Sequence, residues 1–469
     1  MTFLCAIEAV NLDNLFGDCQ DLSTTRGGGL AVLEIAEEVA EKLKCKLIAS
    51  GSSKGLFDIE GTSAEEVEER VRNAATGGIL RHATVMVAAC LKEEAAFARQ
   101  LAELNARIRW SQMQAPSVVY PQLHGTLVCD IDRVRPALPR AELKKKRNQS
   151  DFTYDRRNLG RVKKQRLLLE ILHGSDGDLD VVEDLNELSK DDDGRFGNLG
   201  DKIAVLRFDG NSFGAVAEAC DTEARYGLFA ETTKQQQREY FRGLLGAQEW
   251  WTGQETRKPR IEIVVYGGDE VTFITPAWLG WKALTAFYQE ARKWPPLKLA
   301  EDHVLTYSAG VVFCHCKAPI HAVKQLASEL CDQAKDKAKK ELGEKGSFAA
   351  YQVLESFDSL GQDLEDFLGQ RDQQTGRRGA FLGLEEMEML ERNMDYWHAT
   401  LSRRKMHTTV QNLMKGKGED LEKTIKSLVD SKSADSAGVA GTLRELYAIL
   451  GNAAFLHILE LWDYAGVTL

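Results

Sequence analysis

The stretch from Ile261 to Thr275 constrains the fold more than any other part of the chain. It contains two apolar, β-rich runs separated by Gly267, Gly268, Asp269 and Glu270. This pattern predicts a β-hairpin, because glycine allows the positive φ angles that tight turns need. Glycine also lets a ligand approach the backbone closely, and carboxylates at a rigid tip can bind a cation. The same composition is common in ordinary solvated turns, so this stretch alone leaves both interpretations open.

A second acidic position lies earlier in the chain, at the end of another predicted strand. Residues 202–208 are mostly apolar and β-rich, and Asp209 follows them before a turn that leads into a helix. A strand-end aspartate beside a hairpin-tip aspartate supplies the hard oxygen ligands that divalent cations prefer. Such ions can bridge triphosphate oxygens and stabilise an in-line displacement at phosphorus. We therefore expect Asp209 and Asp269 to share Mg²⁺ or Mn²⁺.

Four short motifs follow one another in a fixed order. They are Phe208–Phe213, Tyr266–Val271, Tyr307–Val312 and Ala334–Lys339. Over about residues 201–357 they resemble the palm of the GGDEF/CRISPR-polymerase superfamily. The spacing, with a Cys-His-Cys-Lys-Ala-Pro-Ile run after the third motif, is most similar to the large polymerase-cyclase (palm) subunit of type III CRISPR effector complexes. The sequence shows no His-Asp dyad of the phosphohydrolase type, so the resemblance is to a compact form that lacks the HD nuclease domain.

The resemblance implies roles for particular residues. Asp209 and Asp269 would be metal ligands, with the Gly210 carbonyl as a third oxygen. Glu270 would be a catalytic residue, either as a further ligand or as a group that orients a metal-bound water. The family often has Asp where this chain has Asn211 and Glu270. The implied nucleotide-binding residues are Ser212, Phe213, Gly267, Gly268, Lys335 and Lys339; the two lysines share one helix face and can reach a triphosphate, or remain surface lysines.

The resemblance also implies a reaction. A 3′-hydroxyl would attack the α-phosphorus of a metal-bound NTP, ATP in the resembled subunits, and would release pyrophosphate. Repetition and closure would give a cyclic oligonucleotide, a second messenger of prokaryotic antiviral defence, with RNA as an activator and other CRISPR effector subunits as partners. Two alternatives remain open. One is a cyclic-dinucleotide synthase of the diguanylate-cyclase type, and the other is a non-catalytic subunit that binds RNA.

The chain of 469 residues is too long for one ordinary core, and its patterns predict an α+β protein. We expect a degenerate ferredoxin-like palm domain at 1–124, a basic and acidic linker at 125–200, a catalytic palm domain at 201–357 and a helical bundle at 358–469. Residues 1–124 predict the element order β-α-β-β-α-β-α, which contains the ferredoxin-like motif of a palm.

The first palm resembles a duplicate of the second that has lost its acids. Residues 51–54 (GSSK) stand where Gly-Gly-Asp-Glu would be, and Glu8 stands where Asp209 would be. A single carboxylate makes a poor metal site, so we expect this half to hold an acceptor nucleotide rather than to do chemistry. A helix start rich in glycine suits a phosphate, although these glycines could equally form a tight loop. The candidate residues are Arg26, Gly27 and Gly28.

The linker carries a strongly basic stretch. Residues 133–166 contain 13 Lys or Arg against three Asp or Glu. Such a stretch can bind a phosphate backbone, or it can be a helix face that pairs with the acidic run at 176–193. The candidate nucleic-acid-binding residues are Lys144, Lys145, Lys146, Arg147, Arg156, Arg157, Lys163 and Lys164.

The remaining features exclude several classes. No run approaches the ~18 apolar residues of a membrane span, and the start of the chain lacks the pattern of a signal peptide. Nine scattered cysteines predict reduced thiols in a cytoplasm. The net charge of −11 argues against a nucleic-acid binder over the whole surface. Neither Cys129, alone in the linker, nor residues 314–316 (CHC) predict zinc, because structural zinc sites use paired cysteine spacing.

Overall fold

The computed structural model describes most of the chain. The described residues are 1–12, 15, 17–19, 21–51, 53–93, 95–114, 127–137, 148–172, 179–253, 257–299, 302–343, 346–354, 363–375, 379–416, 420–429 and 436–466. Four candidate nucleic-acid-binding residues, Lys144, Lys145, Lys146 and Arg147, lie outside the described residues.

The N-terminal domain is built on a four-stranded antiparallel sheet. Its elements are β1 (Thr2–Val10), α1 (Leu22–Leu33), α2 (Ile35–Leu43), β2 (Lys46–Ser50), β3 (Lys54–Glu60), α3 (Ala64–Ala75), β4 (Thr84–Leu91) and α4 (Phe97–Gln114). The strand order is β2-β3-β1-β4. Alternate residues of β1 face opposite sides: Phe3, Cys5 and Ile7 pack beneath α1–α3, whereas Leu4 and Ala6 pack beneath α4. Ser63 caps α3, as the sequence predicts.

The second domain repeats this plan. Helices α5 (Asp151–Ile171) and α6 (Leu185–Leu188) precede it, and its elements are β5 (Lys202–Gly210), α7 (Phe213–Glu218), α8 (Glu223–Leu245), β6 (Glu262–Gly267), β7 (Glu270–Pro276), α9 (Ala277–Ala291), β8 (Leu297–Lys298), β9 (Asp302–His303), β10 (Tyr307–His315), α10 (Ile320–Leu342) and β11 (Ala349–Val353). The order β10-β5-β7-β6 matches β4-β1-β3-β2 of the first sheet. Helix α10 covers the face that carries Ile203 and Val205, and α8 and α9 cover the other face.

The two domains pack on each other reciprocally. Helix α1 lies against β6, the edge strand of the second sheet, and α8 lies against β2, the edge strand of the first. Glycine permits the close approach of α8 to β2, because a Cβ on Gly227 would lie 2.9 Å from the Ile48 carbonyl oxygen. A Cβ on Gly29 of α1 would make an ordinary contact, 3.7 Å from the Val264 carbonyl oxygen. The domains are therefore related by a pseudo-twofold arrangement, with the ends of β1 and β5 near their common boundary.

The C-terminal region is mostly helical. Its elements are α11 (Leu364–Thr375), β12 (Phe381–Leu382), α12 (Leu384–Thr400), α13 (Arg403–Met414), α14 (Leu421–Leu428), α15 (Ser436–Leu450) and α16 (Ala453–Glu460). Strand β12 extends the second sheet beyond β11. The Tyr351 hydroxyl lies 2.7 Å from Nδ1 of His457 and donates to Glu460 over 3.1 Å, which ties β11 to α16. The predicted α+β class, with two ferredoxin-like domains and C-terminal helices, is confirmed.

The described part of the chain was expected to contain neither a membrane-spanning helix nor a zinc site. No helix there is long and apolar enough to cross a membrane. In those same residues, no group of three or more His, Cys, Asp or Glu side chains is arranged to hold a metal ion. The nine cysteines are free thiols.

Candidate active site

The Gly-Gly-Asp-Glu stretch forms the predicted hairpin. Strand β6 ends at Gly267 and β7 begins at Glu270, so the loop consists of Gly268 and Asp269. Gly267 has φ +126° and Gly268 has φ +65°, a region that favours glycine. A Cβ on Gly267 would overlap the side chain of Leu33 from α1. The tip is therefore fixed by its own backbone and by the N-terminal domain.

Asp209 and Asp269 lie next to each other across β5 and the hairpin. Asp209 is paired in register with Glu270, and the Gly210 amide donates to the Asp269 carbonyl oxygen over 2.9 Å. Burial raises the pKa of Asp269, and the Asp209 carboxylate raises it further. The two neighbouring acids thus repel each other, and their hard oxygens fit Mg²⁺ or Mn²⁺. Gly210 is glycine because a Cβ there would overlap the Phe213 ring.

Lys335 of α10 reaches this acidic centre. Its Nζ atom lies 3.0 Å from Oδ1 of Asp209. Lys339, one turn further along the helix, is solvent-exposed. The structure therefore places the first of the two predicted lysines at the acids and the second at the surface.

Glu270 contacts a partner that the sequence did not suggest. Its carboxylate forms an ion pair with Arg207, which lies two residues before Asp209 on the same face of β5. Burial raises the pKa of Glu270, Arg207 opposes that shift, and the charges of Asp209 and Asp269 add to it. Only the alternation of strand residues could have indicated that Arg207 faces the site.

Asn211, where the resembled family often has Asp, is part of the framework. It is buried, its Nδ2 donates to the Gly346 carbonyl over 2.9 Å, and its Oδ1 accepts from Ser308 Oγ over 3.0 Å. An amide that both donates and accepts suits this position, where a carboxylate would only accept. Direct metal ligation by Asn211 is therefore not supported.

Ser212 and Phe213 lead from β5 into α7. Ser212 has φ +57°, and Phe213 is buried against the rings of Phe229 and Tyr307. Phe213 is thus a core residue, although its ring also lines the cavity between the two domains.

That cavity has a volume of about 200 Å³ and is formed by both domains. The second domain contributes Asp269, Gly268 and aromatic side chains that include Tyr226 and Phe229. The first domain contributes Glu8 and Lys54, together with apolar groups. The cavity therefore has a charged end beside Asp269 and an apolar, aromatic end.

In the first domain an ion pair occupies the place of the acid pair. Glu8 is paired in register with Lys54, as Asp209 is with Glu270, and the Lys54 Nζ lies 3.7 Å from Oε1 of Glu8. Arg109 of α4 lies 3.1 Å from the same carboxylate oxygen. Lys54 lines the cavity, and Arg109 pairs with the Glu8 side chain that lines it; the sequence motifs assigned a role to neither cation.

The structure contradicts the expected phosphate loop at Arg26, Gly27 and Gly28. These residues are buried inside α1 rather than before a helix. Arg26 forms an ion pair with Glu262 and its Nε donates to the Gly160 carbonyl over 2.7 Å. A Cβ on Gly27 would overlap the carbonyl oxygen of Arg156, so the glycines permit α1 to cross α5 closely. The segment therefore belongs to a helix and packs closely against another helix. A run of glycines indicates such packing as readily as it indicates a loop.

The described part of the basic linker is also largely neutralised. Arg156 is buried and pairs with Asp18 at 2.8 Å, and Arg157 pairs with Asp21 at 3.2 Å. Lys163 pairs with Glu34, and Lys164 is buried and pairs with Glu262. These four residues pair with carboxylates from the segments on either side of α1 and from β6, and the contact of Lys164 with the acidic run at 176–193 is a hydrogen bond to the Val182 carbonyl. Their predicted contact with nucleic acid is not supported.

Residues 202–343 match the family model described as Cas10/Cmr2, second palm domain. This stretch is similar to a Cas10/Cmr2 palm. The resemblance inferred from the four sequence motifs is therefore confirmed, and the match covers Asp209, the hairpin, and Lys335. Among curated proteins, no sequence match was found.

Solved structures show that the similarity extends beyond the palm domain to the fold of the whole chain. A chain of the Csm1–Csm4 cassette in complex with pppApApA has a TM-score of 0.53 and 11% identity, covering 100% of this chain and 69% of that one. A chain of the apo Csm1–Csm4 cassette also has a TM-score of 0.53 and 11% identity, with 98% and 70% coverage. At this identity the likeness is one of fold.

Proposed function

We propose that this protein is a metal-dependent nucleotidyl transferase that makes cyclic oligonucleotides from NTPs. The observation that carries the proposal is the adjacent pair Asp209 and Asp269, set at the charged end of a cavity between two palm-like domains. A bound cation would relieve the repulsion between these two neighbouring carboxylates, which suits them to a metal-assisted displacement at phosphorus.

Each residue at the centre has a role in this proposal. Asp209 and Asp269 would hold Mg²⁺ or Mn²⁺, with the Gly210 carbonyl as a further oxygen. Such an ion supplies charge neutralisation on the triphosphate and activation of the attacking 3′-hydroxyl. The Lys335 Nζ atom lies 3.0 Å from Asp209 and is therefore close to the place of the metal and the triphosphate. When the nucleotide binds, Lys335 would leave Asp209 and contact the triphosphate as a point charge.

The acceptor nucleotide would lie against the N-terminal domain. Lys54 and Arg109, which pair with Glu8 at the cavity, would bind its phosphates in place of Arg26. The aromatic side chains of Tyr226 and Phe229 would pack against a base. Holding two nucleotides side by side between the domains would make the displacement effectively intramolecular.

ATP is the proposed substrate and cyclic oligoadenylate the proposed product. The support is the fold likeness to the cassette whose structure contains pppApApA, an oligoadenylate. By the same likeness we propose that the protein works with CRISPR effector subunits in prokaryotic antiviral defence, in the cytoplasm, with RNA as an activator.

A cyclic-dinucleotide synthase is the second candidate, and the intact Gly-Gly-Asp-Glu hairpin favours it. Such a synthase commonly joins two equal halves, whereas this chain has an acid pair in one domain and the Glu8–Lys54 ion pair in the other. Because the two domains of this chain are not equivalent, a cyclic oligonucleotide is favoured as the product over a cyclic dinucleotide.

Product analysis tests the proposal. The purified protein is incubated with each NTP and Mg²⁺ or Mn²⁺, with and without RNA, and the products are identified by mass. We expect cyclic oligoadenylates from the parent and none from Asp209→Asn or Asp269→Asn. Asp221→Asn is the matched control, because Asp221 is exposed and pairs only locally with Arg225 at 2.6 Å. Equal product from the parent and both site variants would refute the proposal, and a cyclic dinucleotide would favour the second candidate.

A further inference from the structure

Arg207 lies among three carboxylates at the base of the acidic centre. It forms an ion pair with Glu270, and Asp209 follows it by two residues on the same face of β5. Asp332 of α10 also interacts electrostatically with Arg207 and Asp209. The Arg207 guanidinium therefore offsets part of the negative charge of this centre.

Glu270 is committed to that guanidinium. The side chain of Arg207 is 18% exposed, and its Nε atom is buried and has no hydrogen-bond partner among the described residues. If Glu270 turned away to bind a cation, Arg207 would lose its closest carboxylate. Removing one partner from a poorly solvated ion pair is strongly unfavourable. The described residues also contain no group of three acids arranged around a common metal position.

The side-chain length of Glu270 fits this role. Glu270 stands directly opposite Asp209 in the β5–β7 ladder, so their Cα atoms are neighbours, whereas Arg207 is opposite Thr272. Glutamate has one more methylene than aspartate and can span this diagonal along the strands to Arg207. An aspartate at the same position would have a shorter reach and would remain beside Asp209.

We propose that Arg207 is a positioning residue that holds Glu270 away from the metal, so that the centre binds its cation with Asp209 and Asp269 and not with a third carboxylate. This inference rests on the proposed function, since it concerns the metal of that reaction. In this proposal Glu270, the last residue of the Gly-Gly-Asp-Glu hairpin, balances the charge of Arg207 and fixes the geometry of the hairpin tip. A chain with Asp at position 270 would lack this contact, because the shorter side chain would remain beside Asp209.

The experiment measures Mn²⁺ binding to the full chain, without nucleotide, by calorimetry and by the electron paramagnetic resonance signal of free Mn²⁺. We expect Glu270→Gln to bind Mn²⁺ within about twofold of the parent, and Asp269→Asn to bind it at least tenfold more weakly. Arg207→Met should bind Mn²⁺ more tightly than the parent, because Glu270 becomes available as a ligand. Arg207→Lys should restore the parent affinity by keeping a cation beside Glu270.

A double variant distinguishes positioning from general damage. Adding Glu270→Gln to Arg207→Met should cancel the gain in Mn²⁺ affinity, and thermal unfolding without metal should show that the double variant is less destabilised than the sum of the single variants. Loss of Mn²⁺ binding in Glu270→Gln as large as in Asp269→Asn would overturn the inference while leaving the proposed function intact. A parent that binds no Mn²⁺ would overturn both.

Discussion

The Nζ atom of Lys335 lies 3.0 Å from Oδ1 of Asp209, and the N-terminal domain contains the same relationship in different residues. There Arg109 of α4 lies 3.1 Å from Glu8 of β1. In each domain the helix after the fourth strand places a cation on the acid near the end of the first strand. The two domains differ at the neighbouring strand, where the second has Glu270 beside Asp269 and the first has Lys54. The two domains thus share the arrangement of strands and helix around the acid and differ in the charge of the neighbouring side chains.

Lys335 should be important for turnover of nucleotide. Replacing it by methionine removes the cation that lies on Asp209 and that would bind the triphosphate. We expect Lys335→Met to lower the rate of product formation by about 100-fold, the effect typical of losing one electrostatic contact to a transition state.

Two other lysines of α10 provide the comparison. Lys339→Met should have a smaller effect, because Lys339 is solvent-exposed one turn beyond Lys335, and Lys340→Met should leave the rate near that of the parent. Rates are measured by pyrophosphate release at saturating ATP. Equal losses in all three variants would show that the net charge of the helix matters rather than the contact with Asp209.

Asp269→Asn should stabilise the metal-free protein at neutral pH. Burial and Asp209 raise the pKa of Asp269 above its ordinary value of 3.8, so between the two values the folded state binds more protons than the unfolded state. The free energy of unfolding therefore falls as the pH rises through that interval, and it stays lowered above it. Asparagine removes this loss, and we expect Tm at pH 7 to rise by about 2 °C.

The pH dependence is the decisive measurement for this prediction. The difference in Tm between Asp269→Asn and the parent should shrink as the pH falls and should vanish below 3.8, where the aspartate becomes protonated in both states. It should also shrink when Mg²⁺ is added, because the ion stabilises only the parent. A difference that does not change with pH would contradict the electrostatic explanation.

The crossing of α1 and α5 should not tolerate a methyl group. A Cβ on Gly27 would overlap the Arg156 carbonyl oxygen, and one on Gly160 would overlap that of Ser23. These are backbone atoms and cannot move without separating the helices. We expect Gly27→Ala and Gly160→Ala each to cost about 3 kcal/mol of unfolding free energy.

Gly243→Ala is the matched control for the helix crossing. Gly243 lies in α8, and no atom lies within 4 Å of the place where its Cβ would be. The change should stabilise the protein by up to about 1 kcal/mol, because alanine favours a helix. Urea unfolding measures all three variants, and stability near the parent value for Gly27→Ala would show that the helices can separate.

Glu262→Gln should destabilise the junction between the two domains. Glu262 of β6 is buried and forms ion pairs with Arg26 of α1 and Lys164 of α5. Neutralising it leaves two buried cations without their common partner, which we expect to cost about 3–5 kcal/mol. Glu422→Gln, which breaks an exposed pair with Arg444, should leave the free energy of unfolding near the parent value in the same urea experiment.

The sequence predicted those parts that depend on neighbouring residues. Alternation of apolar residues and two glycines indicate the 261–275 hairpin, because pleating and positive φ are local properties. The same holds for the Asp209 strand end. The basic stretch did not show that Arg156, Arg157, Lys163 and Lys164 pair with protein carboxylates, because a run of charges does not show which side chains are buried.

The sequence by itself determined the order of strands and helices, the hairpin and the two acids, since each follows from patterns within a few residues. Only the tertiary structure decided that Arg26 and Lys164 meet Glu262, that Lys54 and Arg109 meet Glu8, and that Arg207 holds Glu270. Most of these pairs join residues far apart in the chain, and each contains at least one largely buried side chain, whose charge is stable only where the fold supplies its counter-charge.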